Sequence, residues 1–162
     1  MKNITRKIII IVLAIILTAS TVSCTQEKER VFVGEGFSIT LDSGFSEKEK
    51  ENMAGCYVSE AAAVTVHTES FASLQGYRVE TPADYAKRVV SANGLSNIEI
   101  ITDGGLVFFE YQKSVDGKEC RYLAVLYKGS RGFWLVQFGS LADEYESMRE
   151  RFLKCAKSFS AD

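Results

Sequence analysis

Residues 105–139 leave this chain few ways to fold, because their apolar side chains point in both directions. In an extended segment Tyr122, Ala124 and Leu126 share one face, and Leu123, Val125 and Tyr127 share the other. The neighbours Phe108 and Phe109 split in the same way, as do Phe133 and Trp134. A sheet with one wet face alternates polar and apolar residues; a sheet that is apolar on both faces has to be covered on both. Helices are the natural cover, so the pattern predicts a three-layer α/β/α sandwich.

Turn chemistry makes the sheet antiparallel. Strands are expected over about 97–102, 105–114, 118–128 and 132–139, joined at Asp103-Gly104, Asp116-Gly117 and Lys128-Gly-Ser-Arg131. Asp-Gly between alternating runs is a strong short hairpin signal. Ahead of this meander, strand signals begin near Val31, and Phe37 to Leu41 alternates with period two. Asp42-Ser-Gly-Phe45 is turn chemistry. Residues 46–53 suit one or two polar helical turns, with Ser46 as N-cap and Glu49 as its partner. Residues 56–69 read as a strand with Ala61 to Val66 at its core, and 70–80 as a loop. The class is therefore α+β: a mostly antiparallel sheet, a meander of about four C-terminal strands plus two or three N-terminal strands, flanked by helices.

Two helices have clear signals. Thr81 is an N-cap, Pro82 fills the first helical position, Asp84 completes a capping box and Gly94 ends the helix. Tyr85, Ala86, Val89 and Val90 form its apolar face. A second helix is expected over 141–157, where Leu141, Tyr145, Met148, Phe152, Cys155 and Phe159 make one stripe.

Residues 1–23 hold Lys2, Arg6 and Lys7 with no acid, then an aliphatic run from Ile8 to Leu17, then small residues up to Ser23. This is signal-peptide order. As a helix the aliphatic run is roughly 15 Å long, about half a bilayer core. Val22-Ser23-Cys24 resembles the bacterial lipobox, and that resemblance implies cleavage before Cys24 and a diacylglycerol on its thiol. Two acyl signals hold a protein firmly at a membrane where one holds it marginally. An uncleaved anchor helix and ordinary secretion are the competing readings, and all three export the domain. The expected organisation is signal peptide 1–23, lipidated N-terminus and tether 24–30, and one domain over 31–162. The expected localisation is the extracytoplasmic face of a cell membrane.

Without residues 1–23 the chain carries 16 basic and 21 acidic side chains. A mildly acidic domain has no electrostatic reason to bind nucleic acid.

The order of elements resembles the PsbP-like and DcrB-like α/β/α sandwiches. The residues that carry this are Phe37 to Leu41 followed by Gly44-Phe45, the helix start at Thr81 to Tyr85, the hairpins, and the last helix with Lys157-Ser-Phe159. The resemblance spans about 31–160. It implies a small bacterial lipoprotein of non-catalytic type that serves assembly or partner binding. It transfers no functional residue.

The chemistry-bearing residues are consistent with that. His67 is the sole histidine, and it is expected at a surface or a hairpin end. Cys56, Cys120 and Cys155 lie far apart, unlike metal-ligand pairs, and read as buried small hydrophobes. Export permits one bridge at most among three cysteines. Spacing does not identify the pair; if a bridge forms, Cys56 with Cys120 is the candidate, since both look like strand residues. Gly34-Glu-Gly36 and Asp103-Gly-Gly105 lead into strands, so they are turns and not phosphate cradles. Carboxylates cluster at Glu47, Glu49 and Glu51 and at Asp143, Glu144 and Glu146, as solvated faces. Trp134, Phe133, Phe138, Tyr122 and Tyr127 are expected in the core, with a ligand groove as the alternative. No catalytic residue, metal or cofactor is assigned. The leading expectation is a non-catalytic module with a protein partner in the cell envelope and a lipid anchor in the membrane. A small envelope hydrolase and a small-ligand-binding lipoprotein are the alternatives.

The intact mass of the mature protein is expected to place its N-terminus at a diacylglyceryl-Cys24. An unmodified Cys24, or an N-terminus elsewhere, would rule this out.

Overall fold

The computed structural model describes residues 28–162. The expected signal peptide, Cys24 and most of the expected tether lie outside these residues. The described chain begins with a hairpin, β1 (Glu29–Gly34) and β2 (Phe37–Asp42). Next come β3 (Ser46–Glu47), β4 (Gly55–Val58) and β5 (Ala62–Ser70). Helix α1 (Pro82–Ala92) precedes the meander β6 (Ile101–Asp103), β7 (Leu106–Val115), β8 (Lys118–Lys128) and β9 (Gly132–Leu141). Helix α2 (Tyr145–Lys157) and a short β10 (Ser160–Ala161) end the chain.

Seven strands form one antiparallel sheet in the order β3-β4-β5-β9-β8-β7-β6. The other three, β1-β2-β10, form a second antiparallel sheet. The large sheet is covered on both faces. On one, Phe109, Tyr111, Tyr122, Ala124, Leu126, Phe133 and Leu135 pack with Tyr85, Ala86 and Val89 of α1. On the other, Phe108, Leu123, Val125, Trp134, Val136 and Phe138 pack with Phe152, Cys155 and Ala156 of α2, and with Phe32, Phe37, Ile39 and Leu41 of the small sheet. The two-faced pattern of the meander thus has its expected cause.

Local signals explain most boundaries. Asp116 and Gly117 have φ of 49° and 77°, the positive values that a two-residue hairpin turn demands. Thr81 Oγ1 accepts from Asp84 N–H while Asp84 accepts from Thr81 N–H, so the capping box is closed on both sides.

Four expectations need correction. Residues 46–53 are not helical: Ser46 and Glu47 pair with Val58 and Tyr57, and turns follow. That stretch has no apolar stripe to bury, so a helix there would gain nothing from the core, whereas pairing extends the sheet. Residues 56–69 are two strands and not one. The chain reverses at Ser59-Glu60-Ala61, where Ser59 N–H donates to Ala62 O at 2.9 Å and Ala62 N–H to Ser59 Oγ at 3.1 Å. The last helix starts at Tyr145, because Leu141 still pairs with Cys120 in the sheet. Finally, Glu29 and Arg30 belong to β1, opposite Asp42 and Leu41, and not to a tether.

The close of the chain fastens the two sheets together. Asp162 N–H donates to Gly36 O at 3.0 Å, and Asp162 O accepts from Ser130 N–H at 2.7 Å. Phe159 lies among Phe37, Tyr127 and Trp134, with ring centroids 4.5–5.9 Å away.

At Gly132 a β-carbon would stand 2.3 Å from the Glu69 carbonyl oxygen, a main-chain atom that cannot rotate away. Gly132→Ala is therefore expected to lower unfolding stability by about 1–3 kcal/mol in a urea titration.

Candidate functional site

Burial explains why the sequence candidates for chemistry do not assemble into a reactive centre. His67 sits in β5 opposite Leu135, and only 9% of it is exposed. Its Nε2 is 3.2 Å from Thr65 Oγ1, and the ring also bonds the backbone at Asn52. It is thus an interior residue, not the surface or hairpin-end residue expected. The strand runs on to Ser70 and carries the ring inside. Burial pushes its pKa down to about 4, against the smaller opposing effect of the Asn52 bond.

The candidate pair Cys56 and Cys120 is not bridged in this structure. Cys56, Cys120 and Cys155 are free and buried. Register explains this: Cys56 lies opposite Thr65, then Gln137, then Ala124, so β4 and β8 are separated by two intervening strands. Three strand spacings amount to roughly 14 Å, about twice the Cα separation a disulfide tolerates. The bland reading of the cysteines holds. Burial raises all three thiols, Cys155 to about 11.

Glu47, Glu49 and Glu51 are exposed. Glu146 pairs with Arg121 at 2.6 Å. The most enclosed ion pairs lie elsewhere. Glu110 accepts from Arg121 Nη2 and Arg149 Nε, each at 2.8 Å, and Glu69 meets Arg88 at 3.3 Å. Among the described residues no group of His, Cys, Asp and Glu side chains is disposed to hold a metal ion. Trp134, Phe133, Phe138 and Tyr122 are core, and Tyr127 is half-buried with its hydroxyl donating to Ala156 O at 2.7 Å.

A polar layer inside the α1 face escaped the sequence reading. Gln137 interrupts the apolar run of β9, and its Oε1 accepts from Tyr111 Oη at 2.5 Å. Tyr111 in turn stacks on Tyr122, with centroids 4.9 Å apart. The signal was present as one amide in an otherwise apolar strand.

What the structure does leave open is a cleft beside α1. The segment 71–80 folds as successive turns, with Leu74 N–H donating to Phe71 O and Tyr77 N–H to Leu74 O. This drives Leu74 into the core and leaves Phe71 and Tyr77 36% and 48% exposed. Phe71, Leu74, Tyr77, Val79, Glu80 and Lys128 line a cleft of about 530 Å³. Phe71 stands edge-on to Phe133 at 5.5 Å, and the Arg88 guanidinium lies 3.7 Å from the Tyr77 ring centroid. Lys128 Nζ donates to Glu80 O at 3.0 Å and lies 5.8 Å from the Phe71 and Phe133 centroids. The cleft therefore offers flat apolar walls and a cation that has donors to spare. The nearby start of α1 adds no anion site, because the Asp84 carboxylate takes the amides of Glu80 and Thr81, and Thr81 Oγ1 takes that of Asp84.

His67 carries a pH dependence that can be measured. Its folded pKa lies below the unfolded value, so the unfolded chain binds the extra proton between about pH 6.5 and 4. Its contribution is complete above that window and is lost as pH falls through it, by roughly 3 kcal/mol at most. His67→Gln is expected to flatten the stability–pH curve between pH 6.5 and 4, as read by chemical denaturation at several pH values.

No family model and no curated protein sequence matches this chain. Solved structures do. The solution structure of cyanobacterial PsbP (CyanoP) from Synechocystis sp. PCC 6803 aligns with a TM-score of 0.57 at 14% identity, covering 89% of this chain and 98% of that one. A crystal structure from Bacteroides thetaiotaomicron aligns at 0.55 with 10% identity over 85% of this chain, which spans about half (49%) of that one. LpqN of Mycobacterium tuberculosis, described as involved in cell envelope biogenesis, aligns at 0.46 with 12% identity, over 84% of this chain and 91% of that one. With two helices and antiparallel strands among its described residues, the chain has a PsbP-like fold.

Proposed function

We propose that this chain is an extracytoplasmic binding or assembly module, held at a cell membrane by a lipid on Cys24, with its working domain beyond the tether. The observation that carries the binding role is the cleft between segment 71–80 and Lys128 at the end of β8. Two large aromatic side chains, Phe71 and Tyr77, stand exposed at its rim, although a fold this rich in buried aromatics has core in which to place them. Exposed aromatics beside a cation are the residue types that anchor recognition surfaces. The hydrolase alternative would draw on His67 or a free carboxylate pair. His67 is buried and neutral at ordinary pH, and Glu110 and Glu69 are engaged by arginines.

The aromatic walls beside Lys128 also support a second reading, capture of a small ligand. The two readings separate experimentally. Crosslinking in intact cells, with neighbours identified for the wild type and for Phe71→Ala/Tyr77→Ala, is expected to show a protein neighbour that the double variant loses. Retention of every neighbour by the variant, together with wild-type binding of an apolar fluorescent anion that the variant loses, would favour the small ligand. Retention of both would exclude the cleft from either role.

A further inference from the structure

Among the described residues the two sheets end in four edge strands, and three of them are short. β3 and β10 have two residues each, and β6 has three. Short edges are a standard protection against unintended pairing. β1 is the exception, with six residues and no proline. Its outward side chains are unusual as well. Val31 and Val33 are 60% and 77% exposed, while their neighbours across on β2 are Thr40 and Ser38. The apolar part of the small sheet's outer surface is thus concentrated on its open edge.

The backbone shows which groups face that edge. Thr40 N–H donates to Ser158 Oγ at 2.9 Å and Thr40 O accepts from the same hydroxyl at 3.3 Å, both away from β1. Thr40 and Val31 are therefore a non-hydrogen-bonded cross-strand pair. By alternation, Glu29, Val31 and Val33 turn their N–H and C=O groups toward the open edge.

We infer that this edge pairs with β1 of a second copy of the chain, antiparallel, about a two-fold axis at Val31. The basis is self-complementarity. Centred on Val31, the register sets Val31 against Val31 and Glu29 against Val33 in both directions, so every outward-facing residue of β1 meets another. A shift by one pair in either direction leaves one of them without a partner in the strand. The same register opposes no like charges. Lys28 falls opposite Gly34, and Arg30 opposite Phe32, whose ring already takes the Arg30 guanidinium of its own chain at 4.8 Å. The valines of both copies then form one apolar patch. Such an interface is isologous, as a closed dimer requires. One strand pair buries less than the roughly 1,200 Å² of a stable interface, so the dimer is weak and dependent on concentration. It does not use the cleft and stands apart from the role proposed for it.

Sedimentation equilibrium of the full chain in density-matched detergent tests this directly. The wild type is expected to dimerise reversibly. Val31→Lys, which puts two like charges at the two-fold axis, is expected to weaken the dimer several-fold with an unchanged melting profile, because Val31 is largely exposed. In a Cys24→Ser background, Val31→Cys is expected to crosslink on mild oxidation much faster than Val33→Cys, whose counterpart is Glu29. A wild type that remains monomeric at every concentration would overturn the inference. So would a Val31→Lys chain that dimerises like the wild type, or equal crosslinking at positions 31 and 33.

Discussion

The architecture follows from the need to keep water off both faces of β8 and β9. From Gly132 to Ser140 every residue of β9 is buried, and β8 is buried from Tyr122 to Leu126. Seven strands at about 4.8 Å spacing make a sheet roughly 30 Å wide, whereas one helix covers about 10 Å. A single helix per face is too little. On the α2 face the deficit is met by the small sheet, whose Phe32, Phe37, Ile39 and Leu41 join the same core. On the α1 face it is met by irregular chain: Leu74, Val79, Leu95, Ile98 and Ile100 pack there without belonging to a helix or strand. Irregular cover fits a flat sheet less well than a helix stripe does, and the cleft lies where that cover meets the end of β8.

Polar groups within these layers act on uniqueness more than on total stability. Gln137, Thr65 and His67 occupy positions where apolar residues would bury at lower cost, and each of the three has a hydrogen-bond partner inside the α1 face. A partnered buried polar group penalises any register that separates it from its partner. The arginine–carboxylate contacts work similarly from the rim. Glu110 joins β7 to Arg121 of β8 and Arg149 of α2, and Asp42 of β2 engages Arg151 of α2. The small sheet and the last helix are therefore positioned by charge as well as by packing. The half-exposed members of these pairs contribute modestly to stability, since solvent screens them.

Much of the fold was legible in the sequence because its strongest signals are local. Asp116-Gly117 needs positive φ, Thr81 and Asp84 need only each other, and two-sided apolar strands report their own burial. What was not legible depends on distant chain. Ser59-Glu60-Ala61 turns without glycine or proline, held by hydrogen bonds across Ser59 and Ala62. β3 exists only because β4 offers an edge to Ser46 and Glu47. His67 reads as a hairpin end in sequence, but β5 continues past it to Ser70 and pairs it with Leu135 of β9. The cleft was less legible still. Its walls come from a loop, a strand end and the approach to α1, and no period in the sequence connects Phe71 with Lys128.

The staple made by Asp162 has a mechanical consequence. The first and last strands flank β2 in the same small sheet, and the main chain of the final residue binds both the β1–β2 turn and the β8–β9 turn. A pull on the chain ahead of Lys28 enters the fold through β1 and reaches β2 first, outside the large sheet. The interior between α1 and the meander is loaded only after that hairpin and its fastening at the C-terminus have given way. The small sheet is thus the part that yields first, and its yielding uncovers the α2 face of the large sheet while the interior under α1 stays covered.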